Sequence, residues 1–384
     1  MPSILFNDLI LFRQRSGIGH YAAQLLEHFP KAAPDLDVVR LSQLPSAHWV
    51  ARGLGAGAGI VRGGAGGLRG KVVARLKGSV QASADKYFAW LAARGQYALF
   101  HEPDAIAFRT RLPTLLSVMD LSVLLYPEFH PAHRVQRYEK YFMRSLRRGT
   151  HFIAISQATK SDMIEHLKVK DDQISAIALA PREGFAPGER ETVDAAKKRL
   201  GLPSNYFLFV GNLEPRKNIP GLLRAYSRLS AATREQFPLV LAGGWGWKSE
   251  EIRALLSRAP WKQNVKVVGY LSDADLVSTV QGAAALVYPS FYEGFGLPPL
   301  EAMACGTPVI CSPAGGLAEA VGDAARLVDP KDEVAMADAM KLLAQSESLR
   351  EEYRRLGIAQ AAKFSWEKTA RETAAVYRKL LENA

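Results

Sequence analysis

Cysteine is scarce in this chain of 384 residues. Cys305 and Cys311 are its only cysteines, and both lie in one apolar stretch, ACGTPVIC. A cysteine in such surroundings usually behaves as a small buried hydrophobic side chain, and this spacing favours neither a disulfide nor a metal site. The sequence therefore predicts two free, buried thiols and a reducing, cytoplasmic compartment.

Long hydrophobic runs are also missing. No stretch of about 18 uninterrupted apolar residues occurs, which is the length that a membrane-spanning helix needs. The N-terminal run from Ile4 to Phe12 is broken by Asn7 and Asp8, and no basic residue precedes it. Because a secretory signal peptide begins with a basic segment, we expect neither a signal peptide nor a membrane span.

Negative charge is in short supply in the first half of the chain. The net charge is +11, of which residues 1–190 carry +9 and the remainder carries +2. An excess of this kind suits an anionic lipid surface, a phosphorylated substrate or a nucleic acid. No nucleic-acid-binding motif is recognisable, so we favour lipid or phosphate as the partner and expect no nucleic acid.

Core-forming residues are plentiful, since 48% of the chain is apolar and 23% is charged. These proportions are ordinary for globular proteins, and the length predicts two domains. A charged stretch, Pro187 to Leu202, separates two different patterns. We therefore predict an N-terminal domain over 1–190, a C-terminal domain over 191–365, and a terminal helix over 366–384 that can pack back on the first domain.

The second half alternates short apolar runs with helix-length segments, which is typical of a parallel α/β sheet. Each run ends in a Gly or Pro turn, and the predicted strands are Phe207 to Gly211, Pro238 to Gly243, Val265 to Gly269 and Ala283 to Pro289. Ligands of such sheets bind beyond the carboxyl ends of the strands. The turns after these strands are therefore the first place to look for a site.

The first half repeats this pattern less regularly and predicts a second α/β domain. Its apolar runs are Ser3 to Phe12, Val38 to Leu41, Tyr97 to Phe100, Thr114 to Val118 and His151 to Ile155. Residues 53–70 are dominated by Gly and Ala and predict a mobile surface loop. The segment after them, KVVARLKGSVQ, combines cations with apolar residues and is either a membrane-facing segment or an ordinary solvated helix.

The most specific motif is EGFGLPPLE, which directly follows the predicted strand AAALVYP. Gly294 and Gly296 allow a tight turn, and the prolines after Leu297 suit the first turn of a helix. The helix start offers unpaired N–H groups to a diphosphate. Glu293 before the turn can reach a sugar, while Glu301 beyond it can accept hydrogen bonds from a ribose. The alternative for Glu301 is that it only complements the helix dipole.

Two further turns carry candidate phosphate-binding groups. NLEPRKN follows a strand that ends at Gly211, and it places the cations Arg216 and Lys217 at that strand's carboxyl end. Phosphate oxygens are natural partners there, although adjacent cations on a loop are usually solvated. The segment SGIGH follows the first strand and precedes a predicted helix, so Gly17 and Gly19 can let backbone amides approach a phosphate or an acceptor.

Taken together, these motifs resemble the retaining family-4 glycosyltransferases, the group 1 glycosyltransferases of GT-B architecture. The resemblance is strongest from about Phe207 to Pro330. It implies an α/β protein with two Rossmann-like domains that face each other across a cleft. The segments SVMDLSVLLYPEFHP and AISQATKSDM resemble those of mannosyltransferase-like members that act in bacterial polysaccharide assembly.

The resemblance also implies roles for particular residues. Glu293 and Glu301 are expected to contact a nucleotide-sugar donor, and Arg216 and Lys217 are expected to hold its diphosphate. Further donor-binding positions are Gly17, Gly19, Gly211, Gly294, Phe295, Gly296 and Leu297. The implied donor is a GDP-linked mannose or deoxy relative, the implied acceptor is a lipid-linked glycan, and the protein is expected in the cytoplasm, with peripheral attachment to the inner membrane.

One position departs from the family pattern. Relatives commonly have His-Asp where this chain has Met119-Asp120, so a catalytic histidine does not carry over to that position. The side chains left to assist catalysis beside Glu293 are Asp120 and His101, and His133 is a further histidine without an assigned role. Asp120 reads equally well as a turn or helix cap after its strand, whereas for His101 a structural role is slightly favoured over a catalytic one.

In this family the leaving diphosphate itself helps to take the acceptor proton, and no metal or other cofactor is required. The pairs Asp35/Asp37 and Asp273/Asp275 resemble metal-binding D-x-D sites, but the first precedes a strand and the second begins a predicted helix. Two other functions remain open at this point. They are a nucleotide-sugar epimerase of similar architecture and a non-catalytic protein that binds nucleic acid or lipid.

Overall fold

The computed structural model describes residues 3–12, 17–44, 86–87, 90, 94, 96–258 and 262–382. Its strands are β1 Ser3–Phe6, β2 Asp37–Arg40, β3 Tyr97–Glu102, β4 Thr114–Val118, β5 His151–Ala154, β6 Ile174–Ala176, β7 Phe207–Val210, β8 Leu239–Ala242, β9 Val265–Gly269, β10 Ala285–Tyr288, β11 Val309–Cys311 and β12 Arg326–Leu327.

Helices accompany nearly every strand. Those of the described residues are α1 Gly17–Ala32, α2 Ser122–Leu125, α3 Ala132–Leu146, α4 Gln157–Leu167, α5 Arg190–Leu200, α6 Ile219–Ser227, α7 Ala231–Gln236, α8 Glu250–Arg258, α9 Asp273–Gln281, α10 Leu297–Ala304, α11 Leu317–Val321, α12 Glu333–Gln345, α13 Glu347–Ala361 and α14 Trp366–Glu382. Neighbouring strands of the two sheets are parallel, and parallel strands need crossover connections of this kind.

The strands form two six-stranded parallel sheets. The first has the order β2-β1-β3-β4-β5-β6, and the second has the order β12-β11-β10-β7-β8-β9. The central strands β4, β5, β7, β8 and β10 are buried along their whole length. This burial explains their continuous apolar sequences, because helices cover both faces of a parallel sheet. The expected α/β fold with two Rossmann-like domains is confirmed.

In the second sheet the order in which strands are added reverses between β7 and β10. From β7 the chain adds β8 and β9 on one side, and it then returns to add β10, β11 and β12 on the other side. A crevice forms at such a reversal beyond the carboxyl ends of the two strands. The loops that follow β7 and β10 are the ones that carry NLEPRKN and EGFGLPPLE.

The terminal helix α14 packs along α1 of the first half and also touches β3. Its small residues Ala370 and Ala374 are fully buried, which allows close approach of the two helices. Trp366 at its start donates a hydrogen bond from Nε1 to the Pro181 carbonyl at 2.9 Å. The predicted domain boundary at 190/191 falls directly after Arg190, the first residue of α5.

Some details differ from the sequence predictions. The run from Ser3 to Phe12 is a strand only as far as Phe6, because residues Leu9–Phe12 form a 3₁₀ helix. Cys305 and Cys311 are free and buried, as predicted, and burial raises the pKa of each thiol to about 12. The predicted loop 53–70 and the segment 71–81 lie outside the described residues. Among the helices that are described, none combines the length and apolar character needed to cross a bilayer.

Candidate functional site

The site centres on an ion cluster at the crevice between β7 and β10. Lys217 Nζ lies 2.5 Å from Glu293 Oε1, and Arg216 Nη1 lies 2.9 Å from Glu293 Oε2. Lys217 also donates to the Tyr288 hydroxyl at 2.6 Å, and Arg216 contacts Glu214 at 3.3 Å. The structure thus brings together the three charged residues that the two strongest motifs predicted, and it adds Glu214.

The charges of this cluster are almost fully buried. Glu293 and Lys217 are each 8% exposed, and Glu214 is 2% exposed. Burial raises the pKa of the Glu293 carboxyl, but Arg216 and Lys217 outweigh it and bring the pKa down to about 2. Burial and the neighbouring Arg216 lower the pKa of Lys217. Each charge therefore depends on its neighbours, since an unpaired buried charge is strongly destabilising.

Two polar atoms of this cluster have no hydrogen-bond partner among the described residues. They are Nε of Arg216 and Oε2 of Glu214, and both are shielded from solvent. Buried polar groups in folded proteins are nearly always paired, so unpaired ones are informative. Unsatisfied polar atoms next to a buried Arg-Lys pair fit a site that a polar, anionic ligand would complete.

The turn after β10 shows why the motif needs its glycines. A Cβ atom at Gly294 would lie 1.8 Å from the Met119 carbonyl oxygen, so the backbones of the two halves of the chain touch here. Gly296 caps α10 with a φ of 117°, which favours glycine. Phe295 is buried against Phe364, with ring centroids 5.6 Å apart, and Leu297 begins α10. Pro298 and Pro299 carry no N–H, so the Leu297 amide is the N–H group that the first turn of α10 can offer a ligand.

Glu301 lies in the second turn of α10, one turn later than the sequence suggested. It is 3% exposed, and Arg182 binds both of its oxygens, with Nε at 2.6 Å and Nη2 at 3.0 Å. Burial raises the pKa of Glu301, and Arg182 opposes this effect. Arg182 also contacts Asp273 at 3.0 Å. Sequence analysis missed Arg182, which lies on the segment that connects the two sheets.

The loop after β7 approaches the next strand closely. Gly211 has a φ of 143°, and a Cβ atom at the neighbouring Gly243 would lie 2.0 Å from the Gly211 carbonyl oxygen. These two glycines let the loops after β7 and β8 pack backbone against backbone. The loop that carries Arg216 and Lys217 is consequently held in place at the sheet edge.

Gly17 and Gly19 lie at the start of α1, in the N-terminal half. A Cβ atom at either position would meet no atom of the described residues within 4 Å, although Gly19 is buried. The donor-binding role of both glycines stays a prediction.

Asp120 lies across from the cluster. Its Cβ atom lies 3.0 Å from the position that a Cβ atom at Gly294 would occupy. Its Oδ1 accepts a hydrogen bond from the Ser122 amide at 2.9 Å. Its charge helps to raise the pKa of Arg216. Asp120 is thus both the turn residue that one interpretation expected and a neighbour of the predicted site.

His101 is not brought to the cleft. It is fully buried, and its Nδ1 and Nε2 are hydrogen bonded to the hydroxyls of Tyr377 at 2.6 Å and Ser117 at 2.8 Å. Burial lowers its pKa to about 3, so the ring is neutral. The geometry corrects the catalytic assignment of His101, because a ring with both nitrogens engaged in the core cannot reach a substrate. Its partners indicate a structural role in docking α14.

His130 is a second residue that sequence analysis missed. It is 2% exposed, and neither ring nitrogen has a hydrogen-bond partner. The ring packs on Trp247 of the other half of the chain, at 5.7 Å between centroids. Burial, followed by the nearby Arg134, lowers its pKa to about 4. The motif YPEFHP contained this histidine, but nothing in its spacing singled it out.

The two halves of the chain are bonded to each other around this site. Tyr292 donates to Asp162 at 2.5 Å, and Thr159 donates to the Gly294 carbonyl at 3.2 Å. Glu319 accepts hydrogen bonds from the amides of Gln157 at 2.8 Å and Ala158 at 2.5 Å, at the start of α4. The structure therefore shows a closed arrangement in which both halves contribute to one site.

The D-x-D pairs have other partners. Asp35 binds Arg378, and Asp37 accepts from Ser3. Asp273 binds Arg182. Ser272 caps α9 by accepting a hydrogen bond from the Asp275 amide, and the Asp275 carboxylate accepts from the Ser272 hydroxyl and binds Arg199. Across the described ranges, no three His, Cys, Asp or Glu side chains converge as metal ligands would.

Comparison with known proteins agrees with the architecture. The family model of "Glycosyl transferases group 1" matches residues 191–360. The O-antigen chain mannosyltransferase B of Escherichia coli is 36% identical over 293 residues, which cover 76% of this chain and 77% of that protein.

Two solved structures share the fold. Sucrose-phosphate synthase of Thermosynechococcus elongatus superposes with a TM-score of 0.74 at 21% identity, over 100% of both chains. WaaG, a glycosyltransferase of lipopolysaccharide biosynthesis, superposes with a TM-score of 0.71 at 14% identity, over 97% of this chain and 99% of WaaG. The epimerase and the non-catalytic binding protein are therefore set aside, and the chain belongs to the group 1 glycosyltransferases, with mannosyltransferases among its relatives.

Proposed function

We propose that this glycosyltransferase is a retaining, metal-independent hexosyltransferase that moves mannose or a deoxy relative from a GDP-sugar. The acceptor would be a lipid-linked or oligosaccharide glycan in cell-surface polysaccharide synthesis. The observation that carries the proposal is the buried cluster of Glu293, Arg216 and Lys217 at the reversal point between β7 and β10. The polysaccharide, the mannose and the acceptor class are supported by the named activity of the similar O-antigen mannosyltransferase.

The cluster supplies what departure of a diphosphate requires. Preorganised cations and helix N–H groups stabilise a leaving anion in a site shielded from water. Without donor, Glu293 pairs with both Arg216 and Lys217, and Glu214 pairs with Arg216. When a diphosphate binds, its oxygens take over the pairing with the cations, and the Glu293 carboxylate becomes available to the sugar. Met119 cannot donate or accept a proton, so any side-chain help at this position would come from Asp120. As in the family, the leaving diphosphate would help to take the acceptor proton, on the face from which it departs.

Exposed cations on the N-terminal half support peripheral attachment to the cytoplasmic face of a membrane. Helix α3 presents Arg134, Arg137 and Lys140 to solvent. Each cation near an anionic leaflet contributes about 1 kcal/mol of binding energy. Attachment of this kind would keep the enzyme near a lipid-linked acceptor.

A mass-spectrometric screen tests the proposal. The enzyme is incubated with GDP- and UDP-hexoses, with and without an oligomannose acceptor, and the products are identified. We expect acceptor elongation, or slow release of free hexose without acceptor, with a GDP-sugar. Consumption of no nucleotide sugar, or its isomerisation, would contradict the proposal. Product of inverted anomeric configuration by NMR would contradict retention alone.

Matched variants connect the activity to the site. Glu293→Gln should reduce transfer at least a hundredfold, because it removes the negative charge of the carboxylate that Arg216 and Lys217 hold in place. Glu235→Gln is the control, since Glu235 is an exposed glutamate on α7 of the same half. Circular dichroism and thermal unfolding would show whether both variants keep the fold. Equal transfer by the two folded variants would remove Glu293 from the site.

A further inference from the structure

A second concave site lies at the end of the N-terminal sheet that is opposite to the cleft. A cavity of about 510 Å³ opens at the amino ends of β4 and β5. Among the described residues, three arginines, Arg109, Arg111 and Arg148, line it together with Thr110 and Thr150, and none of the described lining residues is a carboxylate. The cleft is at the carboxyl ends of the same strands, so the cavity is separate from the donor site.

The walls of the cavity are tied to the sheet. The Thr150 amide donates to the Thr114 carbonyl at 2.8 Å, and the Thr114 amide donates to the Thr150 hydroxyl oxygen at 3.1 Å. The Phe100 amide donates to the Pro113 carbonyl at 2.9 Å. Two loops from different parts of the chain are thus held side by side at the strand ends, which fixes the arginine backbones relative to one another.

The two threonines are oriented by these contacts. The hydroxyl oxygen of Thr110 accepts a hydrogen bond from the Leu112 amide at 3.0 Å, and that of Thr150 accepts from the Thr114 amide. Each oxygen therefore acts as an acceptor toward the backbone, and each hydroxyl hydrogen is left to donate elsewhere. Hydroxyl donors beside guanidinium groups are complementary to an oxyanion.

Positive charge is concentrated around the cavity. The segments 105–119 and 140–161, which contain its walls, include no Asp or Glu. Arg147 and Arg148 at the end of α3 and Arg109 and Arg111 in the facing loop are all exposed. Four exposed cations on two adjacent acid-free segments produce a local positive potential that attracts anions.

We propose that this cavity binds a phosphate group, with the guanidinium groups of Arg109, Arg111 and Arg148 as its principal ligands. Guanidinium pairs with phosphate oxygens through parallel hydrogen bonds, and this geometry distinguishes it from lysine. The phosphate belongs to the headgroup of an anionic phospholipid or to a free phosphorylated molecule. Both sources present the same phosphate oxygens to the arginines, and the experiment distinguishes one source from the other.

The bound group does not take part in transfer. Strand β4 has five residues, so its two ends are about 17 Å apart at roughly 3.3 Å per residue. A ligand at the amino end of β4 thus lies about that far from Asp120, which follows the carboxyl end. The site is an anchoring or sensing site, and its test is independent of whether the donor assignment holds.

The test compares two triple variants of the full chain with equal loss of charge. The cavity variant is Arg109→Ala, Arg111→Ala, Arg148→Ala. The control variant is Arg190→Ala, Lys341→Ala, Arg355→Ala, which removes three exposed cations from the other half. Sedimentation with phosphatidylglycerol or phosphatidylcholine vesicles measures lipid binding, and the shift of Tm with added inorganic phosphate measures free phosphate binding.

We expect the unaltered chain to bind phosphatidylglycerol vesicles, and the cavity variant to bind at least tenfold more weakly than the control variant. An effect in the vesicle arm identifies a headgroup, and an effect confined to the Tm shift identifies a free phosphate. Equal behaviour of the two triple variants in both arms would overturn the proposal. Should the cavity variant fail to fold, Arg111→Ala alone replaces it, with a fewfold loss expected against Arg355→Ala.

Discussion

Arg182 binds both carboxylate oxygens of Glu301, at 2.6 and 3.0 Å, across 119 residues of sequence. Arg182 lies on the segment that connects the two sheets, whereas Glu301 belongs to α10 beside the candidate donor site. A bidentate arginine–carboxylate pair fixes orientation as well as distance. The carboxylate that is proposed to meet a donor ribose is therefore positioned by the interdomain connection.

Replacing Arg182 should harm both stability and donor binding. Arg182→Gln leaves the buried Glu301 carboxylate without its cation, which costs about 3–5 kcal/mol for buried pairs. The Glu301 pKa would rise further, because burial already raises it and Arg182 opposes that rise. We expect a lower Tm and at least tenfold weaker binding of nucleoside diphosphate, measured by thermal unfolding and calorimetry.

A double variant separates the two effects. In Arg182→Met with Glu301→Met no buried charge remains unpaired, so most of the lost stability should return while nucleotide binding stays weak. Arg199→Gln, which breaks an exposed pair with Asp275, is the control. Nucleotide binding that recovers together with Tm would show that Glu301 has only a structural role.

The sequence could not have revealed this pair. Arg182 follows β6 in the segment APREGF, where a single arginine among loop residues has no periodicity and no motif. Its importance arises from a contact between two domains, and such contacts depend on how the domains pack. By contrast, Glu293, Arg216 and Lys217 follow strands whose carboxyl ends meet at one edge, so the parallel sheet itself brings them together.

Arg216 and Lys217 should discriminate between nucleotides by their phosphates. Arg216→Ala combined with Lys217→Ala removes the two cations of the cluster, so affinity for GDP should fall at least a hundredfold while affinity for guanosine changes little. Charge-assisted hydrogen bonds contribute about 1.5–3 kcal/mol each. Calorimetric titration with the diphosphate and the nucleoside measures both affinities.

The control for this pair is Arg224→Ala, which breaks an exposed ion pair with Glu333 in the same half. Because the double variant also leaves Glu293 and Glu214 unpaired, Glu293→Gln and Glu214→Gln are added to it to restore charge balance. Equal weakening of GDP and guanosine binding in the balanced variant would show that these cations do not meet the phosphates.

His130 predicts a pH dependence of domain closure. Its pKa is lowered from 6.5 to about 4 in the folded chain. As the pH falls below 6.5, the unfolded or opened chain therefore binds a proton at His130 before the closed form does. Stability of the closed form should consequently be complete above pH 6.5 and decline between pH 6.5 and 4. The decline follows 1.36 kcal/mol per pH unit for one proton.

Two histidine variants locate this effect. His151 also has a pKa lowered to about 4, but its ring is bonded to Ser175 on the outer strands of the first sheet. Both His130→Gln and His151→Gln should flatten the decline of Tm below pH 6.5. Only His130→Gln should also alter the pH profile of transfer, since Trp247 packs on His130 from the other half. Identical profiles for the two variants would contradict a role of His130 in closure.

The fold was largely predictable because buried parallel strands have continuous apolar sequences. Val265–Gly269 and Thr114–Val118 match their predicted bounds. Strands β6, β11 and β12 escaped prediction since they have only three, three and two residues, and β11 lies within the cysteine-containing stretch. His101 was misjudged because a buried histidine at a strand end looks the same in sequence whether it faces a cleft or, as here, Tyr377.

The last prediction concerns metal. Where a divalent cation neutralises a leaving diphosphate, carboxylates hold that cation, with some ligands left to water and phosphate. Here Arg216, Lys217 and the Leu297 N–H at the start of α10 would fill this electrostatic role, and both aspartates of the pair Asp273/Asp275 are bound to arginines. We therefore expect transfer in excess EDTA to proceed with at most a twofold change in rate. An Asp273→Asn, Asp275→Asn variant should likewise retain metal-free transfer. Loss of activity in EDTA that magnesium or manganese restores, in an enzyme whose Tm is unchanged by EDTA, would mean that the cations of the cluster do not stabilise the leaving group alone.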